Sequence, residues 1–189
     1  SEINCVQVSP APSLACSAVG IPQFRVPELH RNLVRYSLEV DAGLAVIELN
    51  SPMSYNGIDE NLCGHILMVV SDLRCHDLRS VVLQGVGAHF CSGGNPVASR
   101  SISPETPGNS KSHIIRFLHH MMSAFVALHK LNVPLVSAVH GKLIGGGVML
   151  MLHSDYRVAS VDASFCFGNL SRGVCPDGLF SMTLPLFVG

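Results

Sequence analysis

Two short apolar runs, each emptying into a glycine-rich turn, set the strongest limit on how this 189-residue chain can fold. Ser80-Val-Val-Leu-Gln84 leads into the turn at 85–94, and the run at 134–140 leads into the turn at 141–147. Runs this short and apolar suit strands buried on both faces of a sheet. Glycine at their ends lets the backbone bend sharply or approach a ligand closely. Each turn precedes a segment that can be helical, where unsatisfied N–H groups point outward and suit a negative oxygen. Two such groups from different loops can form an oxyanion hole; equally, both segments can be plain strand-to-helix turns. Neither fits a dinucleotide fingerprint, a Walker loop or a Gly-x-Ser-x-Gly elbow.

The rest of the pattern alternates strands and helices. Tyr36-Ser-Leu-Glu-Val and Leu44-Ala-Val-Ile-Glu-Leu flank Asp41-Ala-Gly43 and predict a hairpin. After a loop at 51–57, Asp59 can cap a helix running to about His76, with Leu62, Ile66, Val69, Val70 and Leu73 on one face. Residues 96–112 are rich in Pro, Ser and Asn and are expected to form a mobile loop, followed by a helix over 111–131 that Pro134 ends. A short helix through Leu152, strands at 157–160 and 164–167, and a helix starting near Asp177 complete the reading. Such alternation implies βαβ crossovers and an α/β fold. Residues 1–35, with four prolines in the first 29, are expected to form a linker-like arm ahead of one domain at 36–189.

Composition narrows the function classes. Hydrophobic residues make up 48% of the chain and charged residues 13%, which excludes disorder for most of it. A net charge of −1 with three lysines argues against a nucleic-acid binder. No apolar run reaches membrane-spanning length, because His140, Lys142, His153 and Asp155 break the richest stretch. The seven cysteines have no Cys-x-x-Cys pair and are expected to be buried small hydrophobes in a reducing compartment. With no convincing signal peptide, the expected location is cytoplasmic, with peroxisomal, mitochondrial and plastid locations open.

The motifs carry a resemblance. The segment Ser80-Val-Val-Leu-Gln-Gly-Val-Gly-Ala-His-Phe-Cys-Ser-Gly-Gly-Asn95 resembles the first oxyanion segment of the enoyl-CoA hydratase/isomerase (crotonase) superfamily. Val133-Pro-Leu-Val-Ser-Ala-Val-His-Gly-Lys-Leu-Ile-Gly-Gly-Gly147 resembles its second. Ser154-Asp-Tyr-Arg-Val-Ala-Ser160 and Ala163-Ser-Phe-Cys-Phe-Gly168 are similar to the strands that follow, and Ser51-Pro-Met-Ser-Tyr-Asn-Gly57 to the loop that contacts CoA. The resemblance implies an α/β spiral of ββα units, with the family's C-terminal helical region absent from this chain. That region completes the acyl pocket and contributes to trimer or hexamer assembly. It implies oxyanion donors at Gly94 and Gly146 and substrate contacts at Asn56, Gly57, Ser92, Gly93, Gly145, His140 and Arg172. No separate cofactor is implied: CoA or phosphopantetheine arrives as part of the substrate, so the partner is acyl-CoA or an acyl-carrier protein.

Hydratases of this family use two glutamates. The first position is Met149 here, and the second falls in the shortened Asn169-Leu-Ser-Arg172 stretch; neither is acidic. After Glu105 the acidic residues are Asp155, Asp162 and Asp177. Asp155, opening a strand, and Asp162, in a turn, read as structural. Asp177 in Pro176-Asp177-Gly178 reads either as a helix N-cap or, by its likeness to the single-carboxylate segment of enoyl-CoA delta isomerases, as a catalytic base. The expected activity is double-bond isomerisation of an acyl thioester. Two alternatives stand beside it: a polyketide β-branching dehydratase or decarboxylase, testable at Arg172 and His140, and a non-catalytic acyl-thioester binding module.

Overall fold

The computed structural model describes residues 33–95, 107–168 and 180–188. The arm at 1–32, the region around Arg172 and the Asp177 helix start lie outside them.

The expected hairpin opens the main sheet. Strand β1 (Val34–Glu39) runs antiparallel to β2 (Leu44–Leu49), and Gly43 in the connecting turn has φ 62°. Chain direction then becomes uniform: β3 (Ser80–Gly85), β4 (Leu135–Val139) and β6 (Tyr156–Ala159) run parallel to β2, in the order β1-β2-β3-β4-β6. Parallel neighbours require crossovers. Helix α1 (Glu60–Leu73) makes the first and α2 (Pro107–His129) the second. Asp59 caps α1, its Oδ1 accepting from Leu62 N–H at 2.9 Å, and the buried face is the expected one, widened by Cys63.

Burial corrects one expectation. Strands β2, β3 and β4 alternate: Ala45, Ile47, Leu49, Val81, Leu83, Leu135 and Val139 are buried, while their neighbours along each strand are half-exposed. Helices α1 and α2 pack on each other, and one core joins them to that buried sheet face, through Ile66, Val70, Phe125 and Leu128. An apolar run in sequence therefore does not mean burial on both faces here.

The second correction lies in the turn at 141–147. It contains a strand, β5 (Lys142–Ile144), which pairs in parallel with β7 (Ser164–Cys166) as a separate two-stranded sheet. Helix α3 (Gly146–Leu152) follows at once. Helix α2 also begins at Pro107, inside the stretch expected to be loop, because Pro suits the first turn of a helix. Helix α4 (Phe180–Val188) packs near α3 and carries Pro185 internally.

Asp155 and Asp162 have the structural roles expected. Asp155 Oδ2 accepts from Leu135 N–H at 2.8 Å, and the Asp155 N–H donates to Leu135 O at 2.9 Å, joining β6 to the start of β4. Asp162 accepts from the Ser160 hydroxyl across a turn. Cys63 and Cys91 are buried as expected, but Cys75, just past the end of α1, is exposed. Among the described residues no helix is long and apolar enough to cross a membrane.

Candidate active site

The site lies beyond the C-terminal ends of β3 and β4, where parallel sheets place their ligand crevices. Past β3 the chain turns at 85–90 and then runs from Cys91 to Asn95 with a bend at Gly93. This segment is held on both sides. On one side Cys91 bridges to Leu143 of β5, whose neighbour Ile144 donates to Cys91 O at 3.2 Å. On the other side Gly94 bridges to Ile58, with Ile58 N–H on Gly93 O at 2.7 Å and Asn95 N–H on Ile58 O at 2.8 Å. A narrow ladder therefore runs from Ile58 through 91–94 and β5 to β7.

Glycine is required where these layers close. Gly93 has φ 81°, and a Cβ there would collide with the Ile144 carbonyl and reach within 3.1 Å of the Gly146 nitrogen. A Cβ on Gly147 would collide with the Cys91 carbonyl. These contacts bring the two glycine turns together. A Cβ on Gly146 would lie 3.7 Å from the Gly94 nitrogen and 3.0 Å from Ile58 Cδ1. Gly94 itself faces open space, with nothing within 4 Å of where its Cβ would be.

Helix α3 starts at this point. Its N-cap is Gly145, at φ 48° and ψ −109°, with no side-chain cap. The Gly145 N–H donates to Cys166 O at 2.8 Å. Among the described residues, neither the Gly94 nor the Gly146 N–H has a hydrogen-bond acceptor. Two free donors from separate loops, one at the positive end of a helix, are suited to a developing negative oxygen.

The remaining expected residues divide. Gly57 and Ser92 belong to the same wall, with Ser92 N–H donating to Tyr55 O at 3.0 Å and Gly57 N–H to Ser54 O at 3.0 Å. Asn56 is fully buried, and its amide is directed at backbone: Oδ1 accepts from Ser51 N–H, and Nδ2 faces the carbonyls of Val86, His89 and Phe90. His140 Nε2 donates to Gly87 O at 2.9 Å and so braces the turn before the oxyanion strand. Asp177 and Arg172 fall outside the described residues.

Sequence reasoning missed Cys91 and Ile58. Cys91 is buried like the small hydrophobe the sequence predicts, and its thiol also donates to Asn56 O at 3.0 Å. Burial pushes that thiol, like Cys63, up to about 12, so neither is a nucleophile near neutral pH. A buried Ile directly before a helix cap, in the loop beside the glycine turns, was the available signal for Ile58.

A model of the enoyl-CoA hydratase/isomerase family matches residues 39–189. The chain belongs to that family. A Mycobacterium leprae (strain TN) relative named "Probable enoyl-CoA hydratase echA12" is 32% identical over 149 residues, covering 77% of this chain and 50% of the relative. The peroxisomal Delta(3,5)-Delta(2,4)-dienoyl-CoA isomerase of Arabidopsis thaliana is 27% identical over 168 residues, covering 86% of this chain and 60% of the relative. The crystal structure of an enoyl-CoA hydratase from Polaromonas sp. JS666 superposes with a TM-score of 0.73 at 24% identity, over 82% of this chain and 59% of that one. The expected crotonase-type α/β fold is thus the observed one. The chain spans 50% and 60% of the two curated relatives' lengths.

Within this family frame, Met149 takes on meaning. It lies one helical turn from Gly145, whose carbonyl accepts its N–H at 3.1 Å, and its side chain is 2% exposed. The position that the resemblance matches to a hydratase's first glutamate thus carries an apolar side chain packed in the core. Asp59 is tied to the oxyanion strand, its Oδ2 lying 3.5 Å from Asn95 Nδ2, but its other oxygen is committed to capping α1.

Proposed function

We propose that this chain acts on an acyl thioester, acyl-CoA in the first instance, and moves a carbon–carbon double bond by way of an enolate. The observation that carries the reading is that the N–H groups of Gly94 and Gly146 have no acceptor among the described residues, on two loops that meet where a Cβ on Gly146 would lie 3.7 Å from the Gly94 nitrogen. A thioester oxygen placed there accepts both. As the α proton leaves, the electron pair moves onto that oxygen, and preorganised donors stabilise the charge by several kcal/mol in such sites. Return of the proton to the γ carbon completes the shift with no atoms gained or lost.

One carboxylate is sufficient for this cycle, whereas activating water across a double bond in the family manner takes two. The buried Met149 supports the single-carboxylate version, as do relatives named as dienoyl-CoA isomerases. We assign the base to Asp177 by the likeness of Pro176-Asp177-Gly178 to the single-carboxylate segment of enoyl-CoA delta isomerases; Asp155 and Asp162, the other acidic residues after Glu105, are engaged in structural hydrogen bonds. Gly93, Gly145, Ser92 and Gly57 form the wall along which the thioester would lie, and Arg172 is assigned to the acyl or carboxylate end.

The test is turnover of 3-enoyl-CoA, 2-enoyl-CoA and 3,5-dienoyl-CoA by the purified chain, with Asp177→Asn beside the wild type. Positional isomerisation of the 3-enoyl or 3,5-dienoyl substrate without net hydration is expected, reduced on the order of 10²–10⁴-fold in Asp177→Asn. Full turnover by Asp177→Asn would remove Asp177 from the mechanism. Tight acyl-CoA binding without turnover of any substrate would leave a binding module.

A further inference from the structure

The loop that the resemblance assigns to substrate contact has a second task. Tyr55 and Asn56 both have positive φ, 53° and 54°, an unfavourable conformation for residues with a Cβ. Two successive residues hold it only when the surroundings enforce it. The Asn56 amide supplies that enforcement. Its Nδ2 lies 3.0 Å from Val86 O, 2.9 Å from His89 O and 3.1 Å from Phe90 O, while Oδ1 accepts from Ser51 N–H at 2.8 Å. One side chain thus closes its own loop and holds the whole turn that leads into the oxyanion strand.

The backbone of the same residue reaches the strand itself. Cys91 Sγ–H donates to Asn56 O at 3.0 Å. Around this contact run the rungs from Ser92 to Tyr55, from Ile58 to Gly93 and from Asn95 to Ile58. Gly94 therefore sits between anchored neighbours, with its own N–H left free. A strand fixed on both sides of one free donor has that donor aimed before a ligand arrives, which is what a preorganised site requires.

We infer that Asn56 and Cys91 are positioning residues that aim the Gly94 N–H at the thioester oxygen, and that the Asn56 side chain makes no contact with substrate. This rests on the acyl-thioester reading. Asn56 acts through the turn at 86–90 and Cys91 through the direct thiol bridge, so loss of either lets the strand rotate while CoA-binding surface elsewhere is unchanged.

The experiment compares binding of a saturated acyl-CoA with that of the matched S-alkyl-CoA thioether, which lacks the carbonyl oxygen. The variants are Cys91→Ala, Cys91→Ser and Asn56→Ala. Wild type is expected to prefer the thioester and to shift its carbonyl stretching frequency downward on binding. Cys91→Ala and Asn56→Ala are expected to lose about tenfold or more of that preference, consistent with the cost of misdirecting a catalytic group. In the Cys91 variants thioether affinity stays within about twofold of wild type and kcat falls with KM nearly flat, and Cys91→Ser, which keeps a donor, recovers part of the loss. If Asn56→Ala does not fold, the two Cys91 variants decide the matter. A thioester preference intact in the variants, or a thioether affinity falling in parallel in the Cys91 variants, overturns the inference alone. A wild type with no thioester preference overturns the functional reading, and the inference with it.

Discussion

Gly94 and Gly146 lie close together where the two glycine turns meet: a Cβ on Gly146 would stand 3.7 Å from the Gly94 nitrogen, in ordinary contact. Gly93, beside Gly146, has no room for a Cβ, which would collide with the Ile144 carbonyl.

This difference separates three adjacent substitutions. Gly93→Ala places a methyl group into the Ile144 carbonyl at a φ of 81° and is expected to destabilise the fold by about 2 kcal/mol or more. Gly94→Ala meets nothing within 4 Å and is expected to change stability by less than about 1 kcal/mol. Gly146→Ala presses on the end of the Ile58 side chain, which can move, and narrows the space over the Gly94 donor. Its expected effect is a loss of turnover on the order of 10–100-fold with a small change in unfolding midpoint. Urea denaturation and steady-state kinetics on the three variants measure both quantities.

Met149 tests whether the family's missing glutamate can be restored by one substitution. Met149→Ala should cost about 2–4 kcal/mol as a core cavity, read from urea denaturation. Met149→Glu puts an ionisable group at a 2% exposed position and should lower the unfolding midpoint at pH 7, more steeply as pH rises and the carboxyl ionises. Hydration of 2-enoyl-CoA is not expected to appear in this variant, because the second glutamate is also lacking.

His153 makes stability pH-dependent. It is buried at the end of α3, its Nδ1–H donates to Met149 O at 2.9 Å, and its ring lies 5.5 Å from Phe125. Burial pushes its pKa down from 6.5, and neighbouring His129 adds to the effect. The unfolded chain therefore binds this proton more readily than the folded one. Stability from this group is complete above about pH 6.5 and falls as pH drops below it. Thermal unfolding midpoints at pH 7.5, 6.5 and 5.5 should decline in that order, and His153→Gln should flatten the acid limb.

Asp155 supports β4 from its neighbour. Replacing it by Ala leaves the Leu135 N–H without the carboxylate it donates to at 2.8 Å. The expected cost is about 1–3 kcal/mol in urea denaturation, without any change in the preference for thioester over thioether. An altered thioester preference would show that the far end of β4 communicates with the oxyanion turn.

Local signals were legible wherever one short segment carried its own cause. Asp59 before an apolar face of period 3.6 predicts both the cap and the buried side of α1. Asp41-Ala-Gly43 between the two strand-like runs predicts the hairpin. The strand β5 was not legible: three residues between glycines carry no period, and β5 exists because β7 and Cys91 lie beside it. Which face of β3 a helix covers is likewise not written within the strand, although its Val81 and Leu83 are buried.

The paired glycine turns mark where the chain bends sharply and where a helix begins, because glycine's small size is a property of the residue itself, and the family resemblance adds the expectation of donors at Gly94 and Gly146. The aim of those donors belongs to the tertiary structure. The Asn56 amide gathers carbonyls lying 30 to 34 residues further along the chain, and the Cys91 thiol reaches back 35 residues to complete the brace. Hydrogen bonds over that separation depend on how the sheet and its crossovers return the chain, and no local propensity encodes them.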